Sequence, residues 1–455
     1  MNYGDIYQYL AERLQPAKLT KSSHPTPSSS QENSESEQEF EPIRCETFRE
    51  LCDHYFGPQA LEHTDEIEKT LATILAVVLS TSATGGQLAL RVIGPPGSAK
   101  STLAESVSAA KKMVYATSKF TGIISGWASI KRSKMTASQI NGKTLFIKDA
   151  DPIVQLPNLK QIESELRDAL GDGVIRGDYR TGRSFEIYTL FTLIMCGTPV
   201  LRRMDDSELG ARYLDISIHD KNTPTERIVS RAIDSQFSTI CSQLAGGIKE
   251  VDSDIIRRKE IIRKLAPPTI GFLYYKREQI RQGFHVVPWS EPEKSEIHAM
   301  GNLISYLRAR VDRGPTGERK NKADREIATR LGEQLTRLKI FLGVVLKEIG
   351  PRPIEIGNDE SKVIRKVVRD STEGFSQDIV RFLRQEKRGE SKDVIAANLR
   401  LSSSATYNLL QDLRELGIVK TTETSNPHGN RGRKLTLYSL RPELQSICKA
   451  AQVEL

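Results

Sequence analysis

Residues 88–102 read LALRVIGPPGSAKST, and this stretch decides the fold. An apolar strand leads into a turn of glycine and proline and then into Lys-Ser-Thr at the start of a helix, the context of a phosphate-binding loop. In the pattern GxxxxGK[ST] the first glycine is Gly94, and the final positions are Lys100 and Ser101. Ala99 stands where the second glycine is expected. The alternative interpretation is a Gly-Pro turn that precedes an unrelated lysine.

The residue types of this loop suit a nucleoside triphosphate. Glycines and small residues allow backbone N–H groups to turn toward phosphate oxygens. Lys100 is predicted to reach the β- and γ-phosphates, and the Ser101 hydroxyl is predicted to hold Mg²⁺. The residues expected to contact the nucleotide are consecutive: Gly94, Pro95, Pro96, Gly97, Ser98, Ala99, Lys100, Ser101 and Thr102.

A carboxylate that holds the metal should follow at the end of a neighbouring strand. Residues 143–151 read KTLFIKDAD, in which apolar residues lead to Asp149, the predicted Mg²⁺ ligand. The next position, where a glutamate that activates water is usual, is Ala150. The substitute bases are Asp151, Glu163 or Glu165. In the alternative interpretation Asp149 only caps a turn.

Two further polar residues lie at strand ends downstream. Residues 190–199 read LFTLIMCGTP, a buried strand that ends at Thr198, whose hydroxyl is expected to orient the attacking water and to sense the γ-phosphate. Residues 209–218 read LGARYLDISI and place Arg212 just before a final strand. An arginine there is expected to stabilise the transferred charge on a neighbour's nucleotide. Taken singly, either residue has a structural role as its alternative.

The pattern of apolar residues divides the chain into several units. At 455 residues it is long enough for two to four domains of roughly 100 to 200 residues. Short apolar runs alternate with helical patterns up to about residue 218, which predicts an α/β core with a parallel sheet. The predicted order is a short amphipathic helix at 1–15, a disordered linker at 16–42, the α/β core at 43–222, a helical lid at 223–350, a linker at 351–373, three helices with two strands at 374–440, and a tail helix at 441–455.

The segment 1–15 carries an apolar stripe at helical spacing, formed by Tyr3, Ile6, Tyr7, Leu10 and Leu14. A helix of this length is marginal in water by itself, so the stripe is expected to form against a surface. That surface belongs to a protein partner in the leading interpretation and to the chain's own core in the alternative. The segment 16–42 is rich in Ser, Pro, Gln and Glu, which predicts a flexible connection.

Composition narrows the classes of function. The formal net charge of +8 mildly favours a polyanionic partner. The five cysteines are scattered and are never spaced as CxxC, so neither a disulfide framework nor a zinc site is supported. The longest apolar run, residues 74–79, is far shorter than the roughly 20 residues of a membrane-spanning helix. A cytoplasmic protein without membrane contact is expected.

The series of motifs resembles the AAA+ ATPases and implies ATP with Mg²⁺ as cofactors. The resemblance implies that Walker A, Walker B, sensor 1 and the arginine finger fall on residues 94–101, Asp149, Thr198 and Arg212. The loop GPPGSAKS, with alanine before lysine, is similar to that of the MCM (minichromosome maintenance) helicases and of related proteins from phages and mobile elements. The resemblance covers about residues 45–350. It departs at Ala150, which bears on the rate of hydrolysis more than on nucleotide binding.

The predicted lid supplies one more catalytic candidate. Residues 325–339 read REIATRLGEQLTRLK and are similar to the lid helix that brings a sensor 2 arginine to the nucleotide. Arg330 is the first choice, and Arg325 and Arg337 are its rivals. A solvated basic helix face is the alternative. With it, the predicted catalytic set is Lys100, Asp149, Asp151, Thr198, Arg212 and Arg330.

Two elements are predicted to contact DNA, and the first is a β-hairpin. Residues 171–189 read GDGVIRGDYRTGRSFEIYT, with a glycine in the turn. The hairpin resembles the pre-sensor 1 hairpin of the MCM, superfamily 3 and RuvB-like branches, which in helicases projects into the pore of a ring. Arg176, Arg180 and Arg183 are expected to face phosphates, and Tyr179 is expected to stack on a base of single-stranded DNA. The alternative is a surface hairpin whose arginines are solvated.

The second element is the segment 374–440, which resembles a winged helix. Its third helix starts with small polar residues that suit the major groove of duplex DNA, and the contacts predicted there are Ser403, Ser404, Thr406 and Tyr407. The loop between the two strands is basic, and its predicted phosphate contacts are Arg431, Arg433 and Lys434. Winged helices also dock proteins, which is the alternative.

The leading interpretation is an ATP-driven DNA translocase or helicase that forms a homo-oligomeric ring, a hexamer by resemblance, in DNA replication or mobile-element maintenance. The second is a nucleotide switch, such as an initiator, loader or regulator bound to DNA, with slow hydrolysis and no unwinding; Ala150 favours it. The third is a protein-remodelling ATPase, for which residues 124–127, Ile-Ser-Gly-Trp, would form a pore loop.

Overall fold

Four of the predicted apolar runs, together with one strand that was not predicted, form one parallel sheet. In the computed structural model the described residues are 40–57, 61–123, 135–178, 184–205, 213–218, 253–309, 311, 328–386, 389–425 and 434–455. The strands of the first half are β1 (Ala89–Ile93), β2 (Val114–Thr117), β3 (Thr144–Ile147), β4 (Val174–Asp178), β5 (Ser184–Tyr188), β6 (Thr192–Gly197) and β7 (Tyr213–Ser217). The sheet has the order β2-β3-β6-β1-β7, and every neighbouring pair is parallel. The predicted α/β core with a parallel sheet is confirmed.

Helices surround this sheet and continue beyond it. Those of the first half are α1 (Phe48–Tyr55), α2 (Asp65–Ser80), α3 (Lys100–Ser108), α4 (Thr136–Gln139) and α5 (Leu159–Asp172), with short 3-10 helices at Asp151–Gln155 and Pro199–Asp205. The longer helices that follow are α6 (Ser253–Gln282), α7 (Glu291–Arg308), α8 (Thr329–Leu346) and α9 (Asn358–Ser371). Within the region predicted as a helical lid, the described residues form α6, α7 and α8 with non-helical connections such as residues 283–290, where Val286 pairs with Ile354 in an isolated bridge.

Each face of the sheet contributes to a separate hydrophobic core. Successive side chains of a strand point to opposite faces. Leu90 and Val92 of β1 therefore join the core that contains α2 and α3. Leu193 and Tyr213, from β6 and β7, join the core on the other face together with α5. This two-sided burial explains why the strands appear in the sequence as nearly continuous apolar runs.

Residues 351–373, predicted as a linker, are a correction because they contain helix α9. The apolar side chains of α9 are buried at helical spacing, at Val363, Ile364, Val367 and Val368. The helix also covers the free edge of β7. Asp215 N donates to Ser371 Oγ at 2.8 Å, and Ser217 N donates to an oxygen of Asp370 at 2.8 Å. Side chains of α9 thus accept hydrogen bonds from the backbone N–H groups at the free edge of β7. Residues 358–371 are therefore part of the fold and not a linker.

The C-terminal segment is a small α+β unit. It contains α10 (Phe375–Gln385), β8 (Glu390–Ser391), α11 (Lys392–Leu399), α12 (Ser403–Glu415), β9 (Val419–Ser425), β10 (Lys434–Leu440) and α13 (Pro442–Ala451). The strands form an antiparallel sheet in the order β8-β10-β9. Helix α13 packs against α7, where Arg365 bridges Glu296 and Gln452. Residues 40–455 form one compact unit.

Several predicted features lie outside the described residues. They are the N-terminal helix at 1–15, residues 16–39 of the predicted linker, and the candidate pore loop at 124–127. The two strands of the predicted hairpin are present: β4 and β5 pair antiparallel from Val174–Tyr188 to Asp178–Ser184. The tip of the hairpin falls outside the described part. Among the described helices, none is long and apolar enough to cross a membrane.

Candidate nucleotide-binding site

The loop between β1 and α3 closes around the side chain of Lys100. The ammonium group donates to Gly94 O at 2.5 Å, to Pro95 O at 2.6 Å and to Ser98 Oγ at 3.1 Å. Gly94 N donates to Gly197 O at 3.1 Å, which attaches the loop to the end of β6. A Cβ atom at position 94 would lie 2.7 Å from Ser98 Oγ, so a larger residue there would require the Ser98 hydroxyl to move.

Ala99 explains how the loop forms without its second glycine. Its backbone has φ 62° and ψ −1°, in the left-handed region, immediately before the first residue of α3. Gly97 is also left-handed, with φ 81°. An L-residue in this region costs roughly 1 to 2 kcal/mol, and alanine has the smallest side chain that bears it. The substitution therefore leaves the turn in place at a moderate cost.

The predicted acidic and hydroxyl residues meet at the carboxyl ends of β3 and β6. These strands are parallel neighbours, so their ends share one edge of the sheet. The Asp151 carboxylate accepts the backbone N–H of Thr198, with N–O distances of 2.9 and 3.1 Å. Asp149 is exposed, whereas Ala150 is fully buried and donates its N–H to Cys196 O at 2.9 Å. The side chain at position 150 therefore provides no carboxylate to this edge of the sheet.

The charges of this edge interact with the loop. Burial lowers the pKa of Lys100 below its ordinary value, and the negative charges of Asp151 and Asp149 oppose that shift. Both carboxylates are therefore near enough to the ammonium group to affect its protonation. The structure brings Lys100, Asp149, Asp151 and Thr198 to one place, although they come from three separate segments of the chain.

The oxygen donors at this edge fit Mg²⁺ better than a metal that needs an all-protein cage. Ser101 is exposed in the first turn of α3, and the carboxylate of Asp149 is exposed at the end of β3. The described residues include no cluster of three His, Cys, Asp or Glu side chains that would hold a metal alone. Mg²⁺ prefers one or two protein oxygens together with water and phosphate oxygens. Ser101 and Asp149 would hold it.

The two glutamates considered as substitute bases are buried in α5, with Glu163 8% and Glu165 7% exposed. Glu165 accepts the backbone N–H of Ile123 at 3.0 Å and the side-chain amide of Gln161 at 2.9 Å. Oε2 of Glu165 thus holds the loop before residue 124 against α5, Oε1 is engaged by Gln161 of the same helix, and further interactions engage Glu163. Asp151 is the better placed of the three candidates.

Arg337, one of the arginines proposed for the lid, lies near the amino end of β1, opposite the end that continues into the loop. Arg337 donates to Ser80 O, Thr84 O and Ala83 O, so it caps the carboxyl end of α2. Arg330 is exposed two turns earlier in α8, and Glu333 between them lies 4.0 Å from a Cβ built on Gly86. Strand β1, about 13 Å long, separates this region from the loop. Arg337 therefore does not reach the loop of its own chain, and the role of Arg330 stays a prediction; Arg325 and Arg212 lie outside the described residues.

The predicted DNA contacts are partly exposed, partly buried and partly outside the described residues. Ser403, Ser404 and Tyr407 are exposed at the start of α12. Thr406 is a correction: it is fully buried and donates its hydroxyl to Ser402 O at 3.0 Å, because position 406 faces the core of the helical unit. Lys434 is exposed and pairs with Glu423 at 2.7 Å. Outside the described part are Tyr179, Arg180, Arg183, Arg431, Arg433 and the side chain of Arg176.

Sequence reasoning missed a buried cluster of charge beside the site. Arg91 of β1 forms a two-pronged pair with Asp215 of β7, at 2.7 and 2.8 Å, and both side chains are almost fully buried. Arg202 and Arg308 lie 3.6 and 3.5 Å from the same carboxylate. The available signal was a charged residue in the middle of each of two otherwise apolar strands.

A scan against protein-family models and a search of curated proteins each found no match to this chain. The roles of Lys100, Asp149 and Thr198 therefore rest on their placement and chemistry. The placement is specific in one respect: a lysine at a helix start, an exposed carboxylate and a hydroxyl converge on one edge of a parallel sheet.

Proposed function

We propose that the chain is an AAA+ ATPase of the MCM-like or mobile-element type, which forms a ring and uses ATP to move along or open DNA in the cytoplasm. The meeting of Lys100, Asp149 and Thr198 at the carboxyl edge of the sheet carries the proposal. Ligands of open parallel sheets bind at this edge, where the strand order changes direction. Here the chain moves outward from β1 to β2, returns through β3 and β6, and ends at β7 on the other side of β1.

Each residue has a part in phosphoryl transfer. The Lys100 ammonium would leave the carbonyl groups of the loop and lie against the β- and γ-phosphates. Ser101 and Asp149 would hold Mg²⁺, which neutralises charge on the transferred group when it is bound. Thr198 would orient the attacking water. Arg212, one residue before β7, would act on the nucleotide of a neighbouring subunit, and this requirement supports a ring, proposed as a hexamer.

The architecture of the C-terminal unit supports DNA binding. A turn of residues 400–402 joins α11 to α12, and the three-stranded sheet β8-β10-β9 lies beside these helices. These features support the proposal of a winged helix, in which the second helix of the pair would enter the major groove. The exposed Ser403, Ser404 and Tyr407 provide hydroxyl groups and one aromatic ring at the start of that helix. We therefore propose duplex DNA as the ligand of this unit and single-stranded DNA as the ligand of the hairpin.

A second function, a nucleotide switch with slow hydrolysis, is favoured by one observation. The usual position of the hydrolytic base is Ala150, and the nearest carboxylate, Asp151, accepts a hydrogen bond from Thr198 N. A carboxylate has further acceptor sites for water, but this contact fixes the direction of Asp151 toward the Thr198 backbone. Under this alternative, ATP governs assembly on DNA, and turnover is slow in the presence of every DNA structure.

Measuring ATP turnover with and without single-stranded and forked DNA, paired with strand displacement, separates the two. Turnover stimulated by DNA together with unwinding is the result expected of the translocase. Tight binding of ATP without turnover would select the switch. An Asp151→Asn variant sharpens the result, because it keeps an oxygen near Thr198 N and removes the base. Unchanged turnover in that variant would show that Asp151 is not the base.

A further inference from the structure

A group of charged residues, here called the Asp215 cluster, joins the sheet to the C-terminal half of the chain. Its members are Arg91, Arg202, Asp215, Arg308 and Glu373. Arg91 and Asp215 are neighbours across β1 and β7 and form its buried centre. Arg308, at the end of α7, also donates to Tyr213 O at 2.6 Å and Ser371 O at 2.5 Å. The 3-10 helix of Arg202 and helix α7 are therefore attached to one edge strand through charge.

Arg202 is the member that connects the cluster to the segment after Thr198 and to Glu373. It lies in the 3-10 helix that directly follows Thr198, and Leu201 N donates to Thr198 O at 3.0 Å within that turn. Its guanidinium group donates to Ser217 Oγ at 3.3 Å and to Glu373 Oε2 at 2.6 Å. A displacement of Thr198 would therefore be transmitted, within one turn of backbone, to the carboxylate of Glu373.

Glu373 belongs to the short joint between α9 and α10. The following residue, Gly374, has φ 154° and ψ −179°, in a region that glycine alone adopts readily. Gln377 of α10 is 2% exposed and donates to Arg369 O at 2.8 Å and to Thr372 Oγ1 at 2.9 Å. The joint is thus tightly held on the side of α9, and Arg202 holds it from the side of the sheet.

The exposure of the paired side chains differs within the cluster. Arg91 and Asp215 are 0% and 2% exposed, so this pair is a fixed part of the core. Arg202 and Glu373 are 21% and 31% exposed. Water can replace either partner of the second pair, whereas it cannot reach the first. The contact between Arg202 and Glu373 is the pair of the cluster in which both side chains are partly exposed, and it can open without unfolding the sheet.

We infer that Arg202 is a positioning residue that couples the Thr198 end of the nucleotide site to the joint at Glu373 and hence to the C-terminal unit. The inference rests on the proposed function and deepens it. Nucleotide that contacts Thr198 changes the strength of the contact between Arg202 and Glu373, and DNA on the C-terminal unit changes the position of Thr198. Thermodynamic linkage requires that nucleotide change the affinity for DNA by the same factor as DNA changes the affinity for nucleotide.

The test compares amide hydrogen exchange of the full chain with and without a slowly hydrolysed ATP analogue and Mg²⁺. The variants are Arg202→Ala and Glu373→Gln, singly and together, and Arg203→Ala is the matched control because it is an exposed neighbour in the same 3-10 helix. In the wild type we expect slower exchange in residues 94–102 and a change in exchange across α10. In Arg202→Ala and Glu373→Gln the first effect remains and the second is lost.

The double variant should lose no more than either single variant, because both changes break the same contact. Arg203→Ala should behave as the wild type. A change across α10 that persists in both single variants would overturn the inference. So would a wild type protected at residues 94–102 but unchanged at α10. If residues 94–102 are not protected at all, the proposed nucleotide site fails, and the coupling fails with it. Should Arg202→Ala not fold, Glu373→Gln tests the same contact from its more exposed side.

Discussion

At the scale of single residues, Ala99 shows that the loop depends on backbone conformation more than on the identity of the residue. Its left-handed backbone is the conformation that the missing glycine would adopt without strain. A glycine at this position removes the clash of Cβ with the backbone, whereas a β-branched side chain increases it. The two substitutions should therefore have opposite effects.

We expect Ala99→Gly to raise the free energy of unfolding by up to about 1 kcal/mol and to retain ATP affinity. Ala99→Val should lower the free energy of unfolding and weaken ATP binding, since the N–H groups of the loop would no longer converge. Denaturant unfolding and nucleotide titration measure the two quantities. Weaker ATP binding in Ala99→Gly than in the wild type would contradict this account of the loop.

Lys276 illustrates the cost of a buried charge in the helical part. Its side chain is 1% exposed, donates to Lys347 O at 2.7 Å and lies over the ring of Phe272. Burial lowers the pKa of Lys276 to about 8, partly offset by the charge of Glu348. Between pH 8 and the ordinary lysine pKa near 10.5, the unfolded chain binds more protons than the folded chain. The contribution of Lys276 to the free energy of unfolding therefore rises with pH in that window and is lowest below pH 8.

The variant Lys276→Met should remove this dependence. The free energy of unfolding of the wild type minus that of Lys276→Met is expected to rise by about 2 to 3 kcal/mol between pH 7 and pH 10. The comparison cancels the other titrating groups, which both proteins share. Denaturant unfolding at several pH values measures it. A difference that stays constant across this range would mean that Lys276 keeps an ordinary pKa in the folded chain.

At the scale of elements, α12 offers adjacent residues with opposite environments. Tyr407 is 49% exposed, and Thr406 is fully buried with its hydroxyl on Ser402 O. Ser402 also caps the helix by accepting the N–H of Ala405 at 3.2 Å, so the first turn is well defined. Only one of the two neighbours can contact duplex DNA from this turn.

Tyr407→Ala is expected to weaken binding of duplex DNA about tenfold, which corresponds to roughly 1.4 kcal/mol and to the loss of one base contact. Thr406→Val should lower stability through its lost hydrogen bond but leave DNA affinity nearly unchanged. Equilibrium binding at fixed salt and thermal unfolding give both quantities. Equal DNA affinity in the wild type and in Tyr407→Ala would favour protein docking as the role of this unit.

Much of the core was predictable because its signals are local. The strand, loop and helix of residues 88–102 and the carboxylate after β3 follow from short patterns, and parallel strands bring their ends together. Helix α9 was missed although Val363, Ile364, Val367 and Val368 have helical spacing, because charged residues interrupt the stripe. The Asp215 cluster was missed because its members are distant in sequence, and register alone makes Arg91 and Asp215 neighbours. The burial of Thr406 depends on packing that a helix start does not reveal.

At the scale of the whole molecule, the C-terminal unit is continuous with the rest of the described chain. One hydrophobic core contains residues of α2 and α3, of α7 to α9, and of the C-terminal helices α10 to α13. Removal of residues 374–455 would take away the part of this core that α10 to α13 supply, together with Gln377, which donates to Arg369 O and Thr372 Oγ1. A truncated chain would therefore lose stability as well as DNA contacts. Point substitutions on exposed positions test the DNA-binding role more cleanly.

The central claim is that the loop between β1 and α3 binds ATP, and equilibrium binding of Mg²⁺ and ATP to Lys100→Ala tests it most directly. Lys119→Ala is the matched control, because Lys119 is an exposed lysine just after β2 at the same edge of the sheet. We expect Lys100→Ala to bind ATP at least about tenfold more weakly than the wild type, since a charge-assisted contact contributes roughly 1.5 to 3 kcal/mol, with Lys119→Ala unchanged and all three proteins folded. Equal ATP affinity in the wild type and in Lys100→Ala would contradict the account.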